Sequence, residues 1–132
     1  MLWKAYDALR SRAERHIASL PFGLTDFAIL EALLHKGPLP VNTLGGLVRL
    51  TSGSASVAID RLESKGLVRR VNHPTDRRTR VIHLTASGRK LIRAAFADHA
   101  KAMDRATGAL SRDERAEMIR LLKKLGLEAS RR

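Results

Sequence analysis

The residues best suited to chemistry in this sequence are arginines, and the chemistry that they suit is the binding of a polyanion. The cations concentrate between Arg61 and Arg80, and three arginines lie in or beside the polar stretch 73–79. A guanidinium group is a planar fork that pairs with phosphate, and it also suits a DNA minor groove, whose potential is negative. The segment 51–85 is therefore a candidate for binding DNA.

A helix followed by a hairpin must position these arginines. Residues Ser54–Lys65 show helical spacing, with an apolar face opposite a face of small, polar or cationic residues. The apolar face holds Ala55, Ala58, Ile59 and Leu62, and the opposite face holds Ser54, Ser56, Val57 and Arg61. Gly66 ends the helix, and we expect strands over Val68–His73 and Arg80–Leu84. A shallow helix face of this kind fits the major groove.

The rest of the chain reads as helices, so the predicted fold class is mainly α with a small β-hairpin (α+β). Ser111 and Glu114 have the spacing of a capping box, and Thr25 and Thr85 are candidate N-caps. The predicted helices cover residues 2–20, the segment from Thr25 to Gly37, Asn42–Leu50, Ala86–Thr107, and the segment from Ser111 to Gly126.

The helices at the two ends of the chain pose a packing problem. They carry apolar stripes but lie outside the compact unit of helices and hairpin. One stripe can cover another, yet three stripes around a small core leave apolar surface exposed. A second copy of the chain would cover that surface, so the sequence predicts a homodimer built from both ends.

The charge of the whole chain agrees with a nucleic-acid partner. Lys and Arg total 25 against 13 acidic residues, a formal net charge of +12, and such an excess attracts polyanions. Charge for solubility alone is the alternative, which the clustering of the cations disfavours. No helix pairs a continuous cationic face with an aromatic-rich apolar face, as a membrane surface would require. No membrane span or signal-peptide pattern occurs, so we expect a cytoplasmic protein.

Catalysis and metal binding find little support. The chain has no cysteine, which excludes disulfides, cysteine-ligated zinc and a thiol switch. It shows no Gly-x-Ser-x-Gly elbow, no catalytic triad and no phosphate-cradling glycine loop. His16 and His99 could meet and bind a metal, but the favoured interpretation is a hydrogen-bonded or interfacial histidine. We predict no enzyme activity, no metal and no cofactor.

Several motifs in this order resemble the MarR family of bacterial transcription regulators. They are Leu24–Leu30, Leu50–Ser54, Ile59–Arg70, Asp76–Arg78 and Leu84–Arg89. The resemblance implies a winged helix-turn-helix homodimer that binds double-stranded DNA at a pseudo-palindromic operator, most often as a repressor. It places the DNA-binding domain at residues 21–85 and the helical dimerisation region at residues 1–20 and 86–132.

The resemblance also implies roles for single residues. In the recognition helix, the positions that match the family's groove or phosphate contacts are Ser52, Ser54, Ser56, Val57 and Arg61. In the wing, Arg78 is expected in the minor groove with its guanidinium held by Asp76, while Arg77 and Arg80 contact phosphates. The alternative for Asp76 is an ordinary turn former.

A small phenolic or aromatic effector often releases regulators of this family. The residues that could line its pocket here are Trp3, Tyr6, Arg10, His16, Phe22 and Phe27, although the pattern favours interface and core roles for them. Two functions follow from the sequence. The first is a sequence-specific, ligand-responsive repressor. The alternative is an architectural or adaptor protein that uses the same winged helix without an effector.

Overall fold

The computed structural model describes residues 1–131, which form six helices and a three-stranded sheet. The elements in chain order are α1 (Leu2–Ala18), α2 (Leu24–Lys36), β1 (Leu39–Pro40), α3 (Val41–Leu47), α4 (Ser52–Ser64), β2 (Val68–Asn72), β3 (Arg80–Leu84), α5 (Ala86–Ala106) and α6 (Arg112–Ala129). The predicted fold class, mainly α with a small β-hairpin, is confirmed. Within the predicted region 86–132, Arg132 lies outside the described residues.

The sheet is antiparallel, and the strand order is β1-β3-β2. The hairpin pairs Val68 with Leu84 and Asn72 with Arg80. The two-residue strand β1 was not predicted, because two residues give no alternating pattern. It pairs Leu39 with Ile82 on the other edge of β3 and so ties the base of the hairpin to the helices.

One hydrophobic core lies between the helices α1 to α5 and the sheet. Its fully buried side chains come from α2, α3, α4, α5 and both hairpin strands, namely Ile29, Leu30, Leu33, Leu44, Ile59, Leu62, Val68, Ile82 and Ile92. In contrast, α6 buries none of its side chains. None of the helices within residues 1–131 has the length and apolar character needed to cross a membrane.

The start of α2 differs from the sequence prediction. Thr25 is not the N-cap, because the helix begins at Leu24 with Gly23 in the cap position, and the amide of Phe27 donates to the Gly23 carbonyl at 2.9 Å. Phe22 packs on Phe27 with ring centroids 6.1 Å apart. These two rings occupy the positions of a hydrophobic staple, so side-chain packing rather than a hydroxyl sets the entry into α2.

Other helix boundaries differ by a few residues. The predicted third helix ends early, because Arg49 adopts a left-handed φ of 57°. Helix α4 begins two residues before the predicted start at Ser54, since the Thr51 hydroxyl caps it by accepting from the Ser54 amide. Gly126 does not end the last helix, which continues to Ala129. The caps at Thr85 and Ser111 are confirmed, and the capping box at Ser111 and Glu114 is complete.

Gly88 allows the start of α5 to pack against the turn between α4 and β2. A Cβ atom at Gly88 would lie 1.9 Å from the carbonyl oxygen of Leu67. The contact is with backbone, which moves less easily than the end of a side chain. The adjoining Thr85 amide donates to the same Leu67 carbonyl at 3.1 Å, so this junction fixes the hairpin against α5.

We predict that Gly88→Ala destabilises the fold by about 3 kcal/mol, at the upper end of typical overpacking costs. The matched control is Gly126→Ala in α6, where an added Cβ meets nothing within 4 Å. That control should stabilise the chain by about 0.5–1 kcal/mol, because alanine favours a helix over glycine. Urea unfolding measures both variants, and equal midpoints for Gly88→Ala and the wild type would contradict the packing described.

Candidate nucleic-acid interface

Helix α4 divides into a buried face and an exposed face, as the spacing predicted. The buried face consists of Ala55, Ala58, Ile59 and Leu62, each at most 2% exposed. On the other face, Ser52, Ser54, Val57 and Arg61 are exposed, and Ser56 is partly buried. The exposed face borders an open hollow whose other walls are Thr25 and Leu50. Its chemistry is that of short hydroxyls, one aliphatic side chain and one cation.

An ion pair connects the last turns of α4 to the first turn of α2. The Nε of Arg61 donates to the two carboxylate oxygens of Asp26 at 3.2 and 3.3 Å, and Nη2 donates to Oδ1. The Nζ of Lys65 lies 3.7 Å from Oδ2. Hydrogen bonding to Asp26 raises the pKa of Arg61. Asp26 was not predicted as a site residue, because nothing in the local pattern links it to an arginine 35 residues later.

A second cluster braces α4 against the hairpin. The guanidinium of Arg70 on β2 lies 2.6 Å from the carboxylate of Asp60 and 2.8 Å from that of Glu63. The Glu63 carboxylate also accepts from the backbone amide of Arg70 at 3.0 Å. These contacts fix the hairpin relative to α4, although Arg70 was not predicted to have a role.

The hairpin tip corrects one sequence prediction. Asp76 does not hold the Arg78 guanidinium. Its Oδ1 accepts from the Arg78 backbone amide at 2.9 Å, and its Oδ2 accepts from the Thr79 hydroxyl at 2.8 Å. The amide and then the hydroxyl lower the pKa of Asp76. The carboxylate is satisfied by the turn that it closes, and the exposed side chain of Arg78 is left for another partner.

The remaining wing arginines lie where the sequence placed them, at or next to the hairpin. Arg77 and Arg80 are exposed. The side chains of Arg78 and Arg80 border a small hollow with Pro40, Val41 and Asn42 at the start of α3. The hairpin arginines therefore lie next to the start of α3.

The six candidate effector residues do not share one cavity within the chain. Trp3 and Tyr6 are exposed and border an apolar hollow with Met118 and Leu122 of α6. Arg10 pairs with Glu14 at 2.7 Å on the surface of α1. His16, Phe22 and Phe27 lie at the other end of α1. Trp3 and His16 are thirteen positions apart along one helix, a distance of about 20 Å, so the two groups cannot line one small cavity.

His16 and His99 do meet, as the sequence analysis considered. Their Nδ1 atoms lie 3.1 Å apart, and the His99 ring also packs edge-on against Phe27. Burial lowers the pKa of His99, the neighbouring His16 lowers it further, and Glu31 opposes the shift. Within residues 1–131, no three His, Asp or Glu side chains are grouped to hold a metal ion.

Comparison with known proteins identifies the family. The profile of the MarR family matches residues 23–79. The HTH-type transcriptional regulator MhqR from Bacillus subtilis is 36% identical over 129 residues, which cover 98% of this chain and 89% of MhqR. This chain belongs to the MarR family. It is a DNA-binding transcription regulator and not an enzyme.

Two solved structures place the MarR-family chain among winged-helix proteins. A cysteine-to-serine mutant of MarR from Escherichia coli, crystallised with operator DNA, is 22% identical, with a TM-score of 0.77 over 94% of this chain and 89% of that one. NadR in complex with 4-hydroxyphenylacetate is 25% identical, with a TM-score of 0.80 over 94% of this chain and 88% of NadR. The predicted winged helix-turn-helix fold is confirmed.

The pKa of His99 predicts that this MarR-family chain loses stability in mild acid. Burial holds the pKa of His99 in the folded chain below the ordinary value of about 6.5, near which the unfolded chain protonates it. As the pH falls below that value, the unfolded state binds more protons and the free energy of unfolding decreases. Urea unfolding between about pH 7.5 and pH 5.5 measures the slope. His99→Gln should flatten it, and an unchanged slope would contradict this role of His99.

Proposed function

We propose that this MarR-family chain is a ligand-responsive repressor that binds a pseudo-palindromic operator as a homodimer. One observation carries the proposal. Helix α4 turns its apolar face into the core and presents Ser54, Val57 and Arg61 to solvent beside an arginine-tipped hairpin. A helix face enters the major groove, and an arginine at a hairpin tip suits the narrow minor groove.

The proposed base readers are short side chains. Ser52, Ser54 and Ser56 offer hydroxyls, which hydrogen-bond to several bases, and Val57 offers a methyl contact to thymine. The proposed wing contacts are Arg78 in the minor groove and Arg77 and Arg80 on phosphates. Asp76 supports Arg78 by shaping the turn through its bond to the Arg78 amide.

The proposal of a homodimer rests on apolar side chains that the single chain leaves uncovered. Trp3 in α1 is 65% exposed, and Leu125 in α6 is 57% exposed. The hollow between α1 and α6 is lined almost entirely by apolar side chains. Exposed apolar surface of this kind marks a protein interface. A two-fold dimer through residues 1–20 and the region after residue 86 would cover it and present two copies of α4 to DNA.

The proposal that the chain responds to a ligand rests on one similar solved structure and on the types of side chain near the end of α1. NadR was crystallised with 4-hydroxyphenylacetate, a small phenolic acid. Here His16, Phe22 and Phe27 place an imidazole and two aromatic rings at one end of α1, although the two rings are each only 6% exposed. One observation favours the alternative of an architectural or adaptor protein without an effector, namely that the candidate effector residues divide among separate places on the chain.

We predict that Arg78→Ala weakens operator binding by about 1–3 kcal/mol and leaves the fold intact. The side chain is exposed at the hairpin tip, so little packing is lost. Asp76→Ala should give a smaller loss, because it loosens the turn but keeps the guanidinium. The matched control is Arg93→Ala, which removes an exposed arginine from α5. Fluorescence anisotropy measures the affinities, and wild-type affinity for a folded Arg78→Ala variant would contradict the wing assignment.

Titration of three duplexes at several salt concentrations tests the proposed function as a whole. The duplexes are a palindrome selected for tight binding, one of its half-sites and a random sequence. We expect the palindrome, with half-sites about 10 base pairs apart, to bind most tightly. Each neutralised phosphate adds about −0.9 to the slope of log affinity against log salt, so Arg77→Ala should flatten the slope of a dimer by up to about two units.

Sedimentation of the free protein is the control for that titration, and a dimer at micromolar concentration is expected. Equal affinity for all three duplexes would remove the specific repressor and favour the architectural alternative. A stable, well-folded monomer would remove the dimer.

A further inference from the structure

Asp26 stands out among residues 1–131 as a buried charged residue. It is 3% exposed and lies in the first turn of α2. Burying a carboxylate is costly unless a cation and hydrogen bonds compensate it. Arg61 and Lys65 supply that compensation from the last turns of α4. The ion pair therefore joins the start of one helix to the end of the recognition helix.

The geometry of the Asp26–Arg61 pair leaves some N–H donors of the guanidinium available for a second partner. Asp26 binds Arg61 side-on, through Nε and Nη2. A guanidinium carries five N–H donors, so a side-on contact leaves the end-on fork of Nη1 and Nη2 available. No group among residues 1–131 accepts from Nη1. The Arg61 side chain remains 45% exposed and borders the same hollow as Ser54 and Val57.

We propose that Asp26 is a positioning residue for DNA binding, which holds Arg61 side-on so that its end-on fork binds one backbone phosphate in each half-site. The inference rests on the DNA-binding face of α4 proposed above. A bidentate Arg–phosphate pair requires a fixed orientation of the planar fork. Arg61 lies near the C-terminal end of the recognition helix, whereas bases are read mainly from the N-terminal end of such a helix. A phosphate therefore suits this position.

The proposal makes a prediction opposite in sign to that of simple electrostatics. A carboxylate near DNA repels phosphate, so on charge alone Asp26→Asn should tighten binding to every duplex. If Asp26 orients Arg61, the same substitution weakens binding although the net charge of the chain rises by one. The two effects separate when Arg61 is absent, because only the repulsion then remains.

A double-mutant cycle on a random-sequence duplex tests the proposal. The duplex is suitable because a phosphate contact acts on all sequences alike. The variants are Asp26→Asn, Arg61→Ala and their combination, and Asp98→Asn in α5 is the control for the loss of one negative charge. We expect Asp26→Asn to weaken affinity by about tenfold when Arg61 is present. In the Arg61→Ala background it should leave affinity unchanged or tighten it.

Arg61→Lys gives an independent test that replaces an exposed residue and keeps its charge beside Asp26. Lysine keeps the charge but has no planar fork, so it cannot bind Asp26 side-on and phosphate end-on together. We expect Arg61→Lys to bind the random duplex nearly as weakly as Arg61→Ala does. Thermal melting of each variant ensures that binding is measured on folded protein, and this variant decides the question if Asp26→Asn does not fold.

Three outcomes would overturn the proposal. The first is unchanged or tighter binding by Asp26→Asn when Arg61 is present. The second is equal weakening by Asp26→Asn with and without Arg61, which indicates an effect through the fold, and the third is wild-type affinity for Arg61→Lys. Salt-dependent binding of the wild type to the random duplex establishes the DNA contact separately. If the double-mutant cycle fails while the wild type still binds the random duplex, only the role of Asp26 is wrong and the proposed repressor is unaffected. If the wild type binds the palindrome and the random duplex equally, the repressor is wrong and the cycle can still be interpreted.

Discussion

The packing of one face of α4 into the core is the interaction on which the rest of the structure depends. Ile59 and Leu62 are completely buried, and each contributes about 1.5–3 kcal/mol by its removal from water. Ala55 allows a close approach to α3, since a Cβ on Gly45 would lie 3.2 Å from the Ala55 Cβ. Because this face is fixed, the rotation of the helix is fixed as well, and the short polar side chains opposite it must point to solvent.

Charge then acts on a surface that apolar packing has already shaped. The excess of cations draws the chain to DNA at long range, but an exposed arginine on a flexible stem has no fixed direction. Ion pairs give two of the arginines a fixed direction here. Asp26 pairs with Arg61, and Asp60 and Glu63 pair with Arg70. These contacts limit the directions that the Arg61 and Arg70 side chains can take, whereas Asp76 binds the backbone amide of Arg78 and leaves its side chain exposed.

Local signals in the sequence predicted most of the fold and part of the site. The N-cap at Thr85, the capping box at Ser111 and the two faces of α4 depend on residues within one or two turns of each other, and they are confirmed. The wrong or missing predictions came from competing local contacts and, for one pair, from a contact between residues 35 positions apart. The Phe22–Phe27 staple replaced the cap expected at Thr25. The Asp26–Arg61 pair has no local signal in the sequence. The Asp76 carboxylate accepts from the backbone amide of Arg78 rather than from its guanidinium. The candidate effector residues were grouped by the chemistry of their side chains, whereas the length of α1 separates them in space.

The most direct measurement of the central claim is DNA cleavage from a reagent attached to the exposed face of α4. The chain has no cysteine, so Val57→Cys, at a position 62% exposed, carries a unique thiol for an iron–EDTA tether. On a palindromic duplex selected for tight binding, this account predicts two clusters of hydroxyl-radical cleavage in the major groove, centred about 10 base pairs apart. Cleavage spread evenly along the bound duplex, or no cleavage of bound DNA, would contradict it.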